Sequence, residues 1–195
     1  MKIIISIIIG YLIGSIPFAV IVSRLKGINI FEVGTKNPGA ANVLREVGKW
    51  YGISVWLLDM LKGIFGMLIA QYVFHVHPFY VGLTGIAAVV GHCWSIFLRF
   101  KGGKGVATSG GIFLYIFPKI FLIAVATYFL VQRAPRKAWV VITGFGVDFG
   151  LILYLYRSQI KWVLPFLVIF LIVGMIANRE AIREMRHENM GKKNI

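Results

Sequence analysis

The chain has little of what a soluble domain needs. Only 14% of its 195 residues are charged, and only seven residues are acidic. A soluble domain carries about 25% charged and roughly 45–50% apolar residues. Here 58% are hydrophobic and the mean hydropathy is +0.82, so the composition is that of a polytopic membrane protein. No polar stretch is long enough for a second domain, and residues 1–195 read as one integral membrane unit. Cys93 is the only cysteine. It excludes a disulfide framework within the chain and any cysteine-based zinc site.

Familiar catalytic signatures are missing too. Five positions beyond His75, His77, His92 and His187 stand Tyr80, Gly82, Phe97 and Lys192, so no HxxxxD pattern exists. There is no GxSxG nucleophile elbow, and no cluster has zinc or calcium spacing. No metal and no cofactor is expected, which leaves phosphate binding as the basis for chemistry.

The net charge of +14 does not point to nucleic acid. The basic residues fall in short segments between apolar runs, where they report topology. Runs of span length are Ile3–Ser23, Tyr51–Phe74, Phe79–Leu98, Ala138–Tyr156 and Trp162–Ala177, each near the roughly 20 residues a crossing helix needs. The first run has no small-residue cleavage site before its polar loop, so it reads as a span rather than a signal peptide. Loops 24–50 and 99–104, segment 132–137 and the tail together hold 16 of the 21 basic residues. Keeping all four on the cytoplasmic side requires an even number of crossings between residues 105 and 132. Val106–Val131 is therefore expected to be a hairpin of two short helices turning at Pro118–Lys119. The expected fold is an all-α bundle of seven transmembrane helices, with the N-terminus outside and the C-terminus in the cytoplasm. The turns 75–78 and 157–161 then face outside and read as plain solvated connections.

All the unusual sequence lies on the cytoplasmic side. The first loop runs EVGTKNPGAANVLREVGK from Glu32 to Lys49. Gly34 and Gly39 permit backbone angles closed to other residues. Thr35, Asn37 and Asn42 offer short polar groups, and Arg45 offers a planar fork for phosphate or carboxylate. A helix from about Ala40 to Gly48 would aim free N–H groups at the Gly39 turn; an ordinary surface helix after a turn is the bland alternative. The second loop, KGGKGVAT, sets Gly102, Gly103 and Gly105 around Lys104. Successive glycine N–H groups can converge on an anion, with the lysine as point charge. It is not a Walker loop, because Gly105 follows the lysine and a membrane span precedes it; a flexible connector is the competing reading. At membrane depth, Asp59 and Lys62 share a helix face. They are functional candidates or an internal ion pair that orders the bundle. Asp148 has no visible partner, and His92 fits either a loop-bonding role or a satisfied bundle histidine.

In order and spacing these segments resemble the bacterial acylphosphate-dependent glycerol-3-phosphate acyltransferases. The resemblance runs through GSIPFAVIVSRLKG (14–27), VGTKNPGAANVLREVGK (33–49), LLDMLKG (57–63) and VVGHCWSIFLRFKGGKGVAT (89–108). It implies a lipid-synthesis enzyme of the bacterial inner membrane, acting from the cytoplasmic side and taken as a monomer. Such an enzyme moves a fatty acyl group from acyl phosphate to the 1-hydroxyl of glycerol 3-phosphate, giving lysophosphatidic acid. By the same resemblance Thr35, Asn37 and the turn at Gly39 lie near the acyl phosphate, and Gly34 and Asn42 are expected among the substrate contacts. Arg45 and Lys104 act on phosphates, while Gly102, Gly103 and Gly105 form the glycerol-phosphate pocket. Membrane lipid surrounds the acyl tail, and nucleic acid is not a partner.

The chain departs from the family pattern in places. Thr35–Lys36 stands where Ser-Gly is usual, and Ala41 where Thr is usual. In the tail, Asn178, Ala181 and Glu184 replace His, Asn and Arg. Asn178 keeps hydrogen-bonding capacity and is the expected substrate contact there. A non-catalytic or re-purposed lipid- or phosphate-binding relative is the alternative. Anion transport is a weaker one, because it would want facing repeats.

Overall fold

A computed structural model describes residues 1–133 and 137–179. Among them every regular element is helical: α1 Lys2–Gly14, α2 Phe18–Arg24, α3 Ala40–Glu46, α4 Lys49–Leu68, α5 Pro78–Cys93, α6 Val106–Ile116, α7 Pro118–Arg133, α8 Lys137–Leu155 and α9 Ile160–Ala177. Most of the basic tail, with Ala181 and Glu184, lies outside the described residues, as does Arg136.

Four stretches are long and apolar enough to cross a membrane: Lys2–Arg24, Lys49–Val73, Pro78–Leu98 and Arg157–Ala177. Val106–Ile116, Pro118–Thr127 and Gly146–Leu155 are shorter apolar helical stretches. α6 has 11 residues, about 16 Å at the helical rise, roughly half the hydrocarbon thickness. The break between α6 and α7 falls at Phe117, directly before Pro118. There proline lacks the N–H that would continue the helix and disfavours helical angles in the residue before it. A helix break thus falls at the position where the charge pattern calls for a turn.

Two spans differ from their expected form. The run Ile3–Ser23 is not one helix: it stops at Gly14 and restarts at Phe18, with Pro17 at the N-cap of α2. The run Phe79–Leu98 stops being α-helical at Cys93. Its last carbonyls are taken elsewhere, since the Gly103 N–H donates to His92 O at 3.1 Å and the Tyr11 hydroxyl to Trp94 O at 2.9 Å. Only a single 3-10 turn, Ile96–Leu98, follows.

The packing is inverted relative to a soluble protein. α1 buries Ser6, Gly10 and Gly14 and exposes Ile4, Ile8 and Leu12. Lipid gives no hydrophobic drive between helices, so small residues that let backbones approach carry the contact. A Cβ on Gly14 would overlap the Ala88 backbone of α5, and one on Gly111 of α6 would overlap the Met60 carbonyl of α4. At the far side of α5, Phe166 of α9 packs on Gly82. Phe117 stands edge-on to Tyr156 at 5.0 Å, and Phe113 to Phe170 at 5.1 Å. α9 thus packs on α5 and reaches α6 through Phe113–Phe170, and Asn178 caps its C-terminal end.

Candidate active site

The loop from α2 to α3 is built around one side chain. Asn42 is 1% exposed. Its Oδ1 accepts from the Thr35 N–H at 3.0 Å, and its Nδ2 donates to Val33 O at 3.1 Å and Ile30 O at 3.4 Å. A buried amide must be satisfied, and here the loop backbone does it. Gly34 lies against this amide with φ +54, where a side chain would strike Asn42 and Glu46. The result is a fixed loop whose Thr35, Lys36 and Arg45 are exposed and whose Asn37 amide stands beside Gly39. α3 runs Ala40–Glu46, close to the expected helix.

The glycine loop docks on the end of α5. Besides the Gly103 N–H bond, a Cβ on Gly102 would overlap the His92 carbonyl, and one on Gly103 would overlap the His92 ring at Nε2. Only glycine permits that approach. Gly105, at φ +79, turns the chain into α6. Lys104 is exposed, and its carbonyl accepts from Asn178 Nδ2 at 3.4 Å, while the same amide donates to Gly174 O at 3.0 Å. The fold thus joins the glycine loop to a residue 74 positions later.

Both loops meet at one small cavity. Pro38 of the first and Gly102 and Gly103 of the second line it, with Ser15–Ala19 of the α1–α2 break and Leu98. Its open volume is about 10 Å³, room for about one water. At its base lie Asp59, Lys62 and His92, which are 1%, 4% and 8% exposed. Lys62 Nζ is 2.8 Å from Asp59 Oδ1, 2.8 Å from His92 Nδ1, and donates to Ile16 O at 3.1 Å. The sequence offers Asp59 and Lys62 as a pair. That His92, 30 positions on from Lys62, completes the cluster is a tertiary fact. Asp148, on α8, is buried elsewhere. Among the described residues no three potential ligands stand together to hold a metal ion.

A family model described as glycerol-3-phosphate acyltransferase matches residues 4–188. The chain belongs to the glycerol-3-phosphate acyltransferase family. The glycerol-3-phosphate acyltransferase of Aquifex aeolicus is 43% identical over 122 residues, covering 63% of this chain and 64% of that one. The protein of that name from Thermosipho melanesiensis is 34% identical over 195 residues, covering 100% and 94%. The one from Legionella pneumophila is 47% identical over 131 residues, covering 67% and 47%. The match thus spans somewhat less than two thirds of the Aquifex relative, about half of the Legionella one and nearly all of the Thermosipho one. Among solved structures, the crystal structure of PlsY (YgiH), an integral membrane glycerol 3-phosphate acyltransferase, in its glycerol 3-phosphate form superposes with a TM-score of 0.78. Identity is 32%, over 96% of this chain and 94% of that one. Its lysophosphatidic acid form gives 0.79, also at 32%, over 96% and 93%. The family's membrane fold is therefore shared by this chain nearly end to end.

Proposed function

We propose that this chain is an acyl phosphate:glycerol-3-phosphate acyltransferase. The observation that carries the reading is the meeting of the Pro38 loop and the Gly102–Gly103 loop at one end of the bundle, in a chain aligned with the family over nearly its whole length. Two phosphate-bearing substrates need two cationic, backbone-rich loops side by side. The acyl tail needs lipid-facing helices next to them. In the reaction the glycerol 1-hydroxyl oxygen bonds to the acyl carbon, the anhydride C–O bond breaks, and phosphate leaves. A phosphate oxygen of the substrate takes the hydroxyl proton. Acyl phosphate already carries a good leaving group, so positioning and stabilisation of the developing oxyanion supply the rate.

In this reading Arg45 and Lys104 hold phosphates, and Thr35 and Asn37 stand near the acyl phosphate with the Gly34 and Gly39 turns. Gly102, Gly103 and Gly105 shape the glycerol-phosphate pocket, and Asn178 borders it through the Lys104 carbonyl. Asn42 acts by holding Thr35 in place. The chain crosses the bacterial inner membrane seven times as a monomer, with N-terminus outside and both loops in the cytoplasm.

The test is turnover by purified protein in mild detergent, with labelled glycerol 3-phosphate and either palmitoyl phosphate or palmitoyl-CoA. Lysophosphatidic acid from the acyl phosphate alone supports donor and acceptor together. No product from a folded sample favours the non-catalytic relative, for which Asn178 in place of the family's histidine is the specific indication.

A further inference from the structure

The loops and their exposed cations do not use the three buried ionisable groups beneath them. Asp59, Lys62 and His92 come from α4 and the end of α5. Burying such groups is costly, and breaking a buried pair by removing one partner costs more than the pair contributes. Their geometry has a direction. An ammonium has three donors and no acceptor; Lys62 Nζ donates to Ile16 O at 3.1 Å, lies 2.8 Å from His92 Nδ1, and forms an ion pair with Asp59 Oδ1 at 2.8 Å. The His92 Nδ1–Asp59 Oδ1 separation of 3.6 Å is too long for a hydrogen bond, so Lys62 stands between the two. His92 Nδ1 must then accept, and the ring proton lies on Nε2. That atom faces the Gly103 backbone and the cavity where both loops meet, while the His92 carbonyl holds the Gly103 N–H at 3.1 Å.

We propose that Asp59, Lys62 and His92 form a positioning relay that holds His92 as an Nε2–H donor beneath the Gly102–Gly103 turn, setting the shape in which the glycine loop receives the glycerol-phosphate group. The proposal rests on the acyltransferase reading for its substrate, and on the cluster's geometry for its direction. All three are positioning residues, and none touches a reacting atom.

The two ends of the ring can be separated by substitution. His92→Gln places an amide N–H near the position of Nε2 and gives up the acceptor at Nδ1. His92→Asn keeps an acceptor near Nδ1 for Lys62 and gives up the donor toward the loop. Full-length wild type, both variants and Asp59→Asn are purified in detergent. Amide exchange of segment 99–108 and the KM and kcat for glycerol 3-phosphate with palmitoyl phosphate are measured. His92→Asn is expected to raise KM about tenfold, the scale of one lost hydrogen bond, with a smaller change in kcat. It should also speed exchange in 99–108 and leave residues 78–90 protected. His92→Gln should restore both readouts to within about threefold of wild type, and Asp59→Asn should fall between the two.

The proposal is overturned if His92→Asn matches wild type, if His92→Gln loses as much as His92→Asn, or if exchange quickens all along α5. Absence of product from wild type would remove the acyltransferase reading, and the exchange pattern would still decide whether the relay orders the loop.

Discussion

Lys36 has φ +57, in the left-handed region that costs a residue with a Cβ roughly 1–2 kcal/mol. The family usually has glycine at this position. Lys36→Gly is therefore expected to stabilise the protein by about 1 kcal/mol, seen as a higher melting temperature in detergent, with turnover retained. Asn42 has the opposite character. Asn42→Ala leaves the Thr35 N–H and two carbonyls without their partner, and should cost about 2 kcal/mol by the desolvation of unpaired buried groups. Turnover should fall with it, because the backbone that presents Thr35 loses its anchor. Asn42→Asp keeps the acceptor and loses both donors, so it should rescue little. At Thr35 itself, Ser keeps the hydroxyl and Ala removes it. Full activity in Thr35→Ser and a large loss in Thr35→Ala would give the hydroxyl its proposed part. Lys104→Ala and Arg45→Ala should each abolish turnover without lowering the melting temperature, since both side chains are exposed.

At the scale of elements, α1 and α5 are held by backbone proximity rather than by bulk. Gly14→Val would drive its side chain into the Ala88 backbone. It should destabilise by at least about 2 kcal/mol, the scale of overpacking a close contact, and lower the folded yield in membranes. The α1–α2 break and the end of α5 lie side by side, stitched by Ser95 Oγ donating to Ser15 O at 2.6 Å and by Tyr11 to Trp94 O. Both line the cavity. Pro17 was legible as a helix breaker in GSIPF, but the unbroken apolar run hid it under a span-length average. Pro118 was legible as a breaker within one long apolar run, and the helices do divide there. Trp94–Leu98 was read as helix because it is apolar. It unwinds because the α5 carbonyls already have partners in the glycine loop and in Tyr11, which no local property of those residues announces.

For the whole molecule, the expected orientation makes a direct prediction. Cys93 is buried, so it should give little background in thiol labelling. A cysteine at exposed Lys101 should then react only with a reagent admitted to the cytoplasm, and one at exposed Ser158 only from outside. Labelling of both from one side would remove the seven-span arrangement. The exposed Ile4, Ile8 and Leu12 beside buried Ser6, Gly10 and Gly14 already give the bundle the inverted distribution that lipid requires.

Composition and the order of its motifs determined on their own that this is a helical membrane protein with its unusual chemistry in two loops. Both rest on local facts, hydropathy over a span and glycines beside lysine, and these survive any arrangement of the helices. Tertiary structure decided which groups face each other. It made Asn42 the loop's internal fastening, tied Asn178 to Lys104, and set His92 against Lys62 and Asp59. Those pairings join residues from 7 to 74 positions apart. Those between helices depend on how closely the helices approach, a distance that helical period and charge pattern leave open.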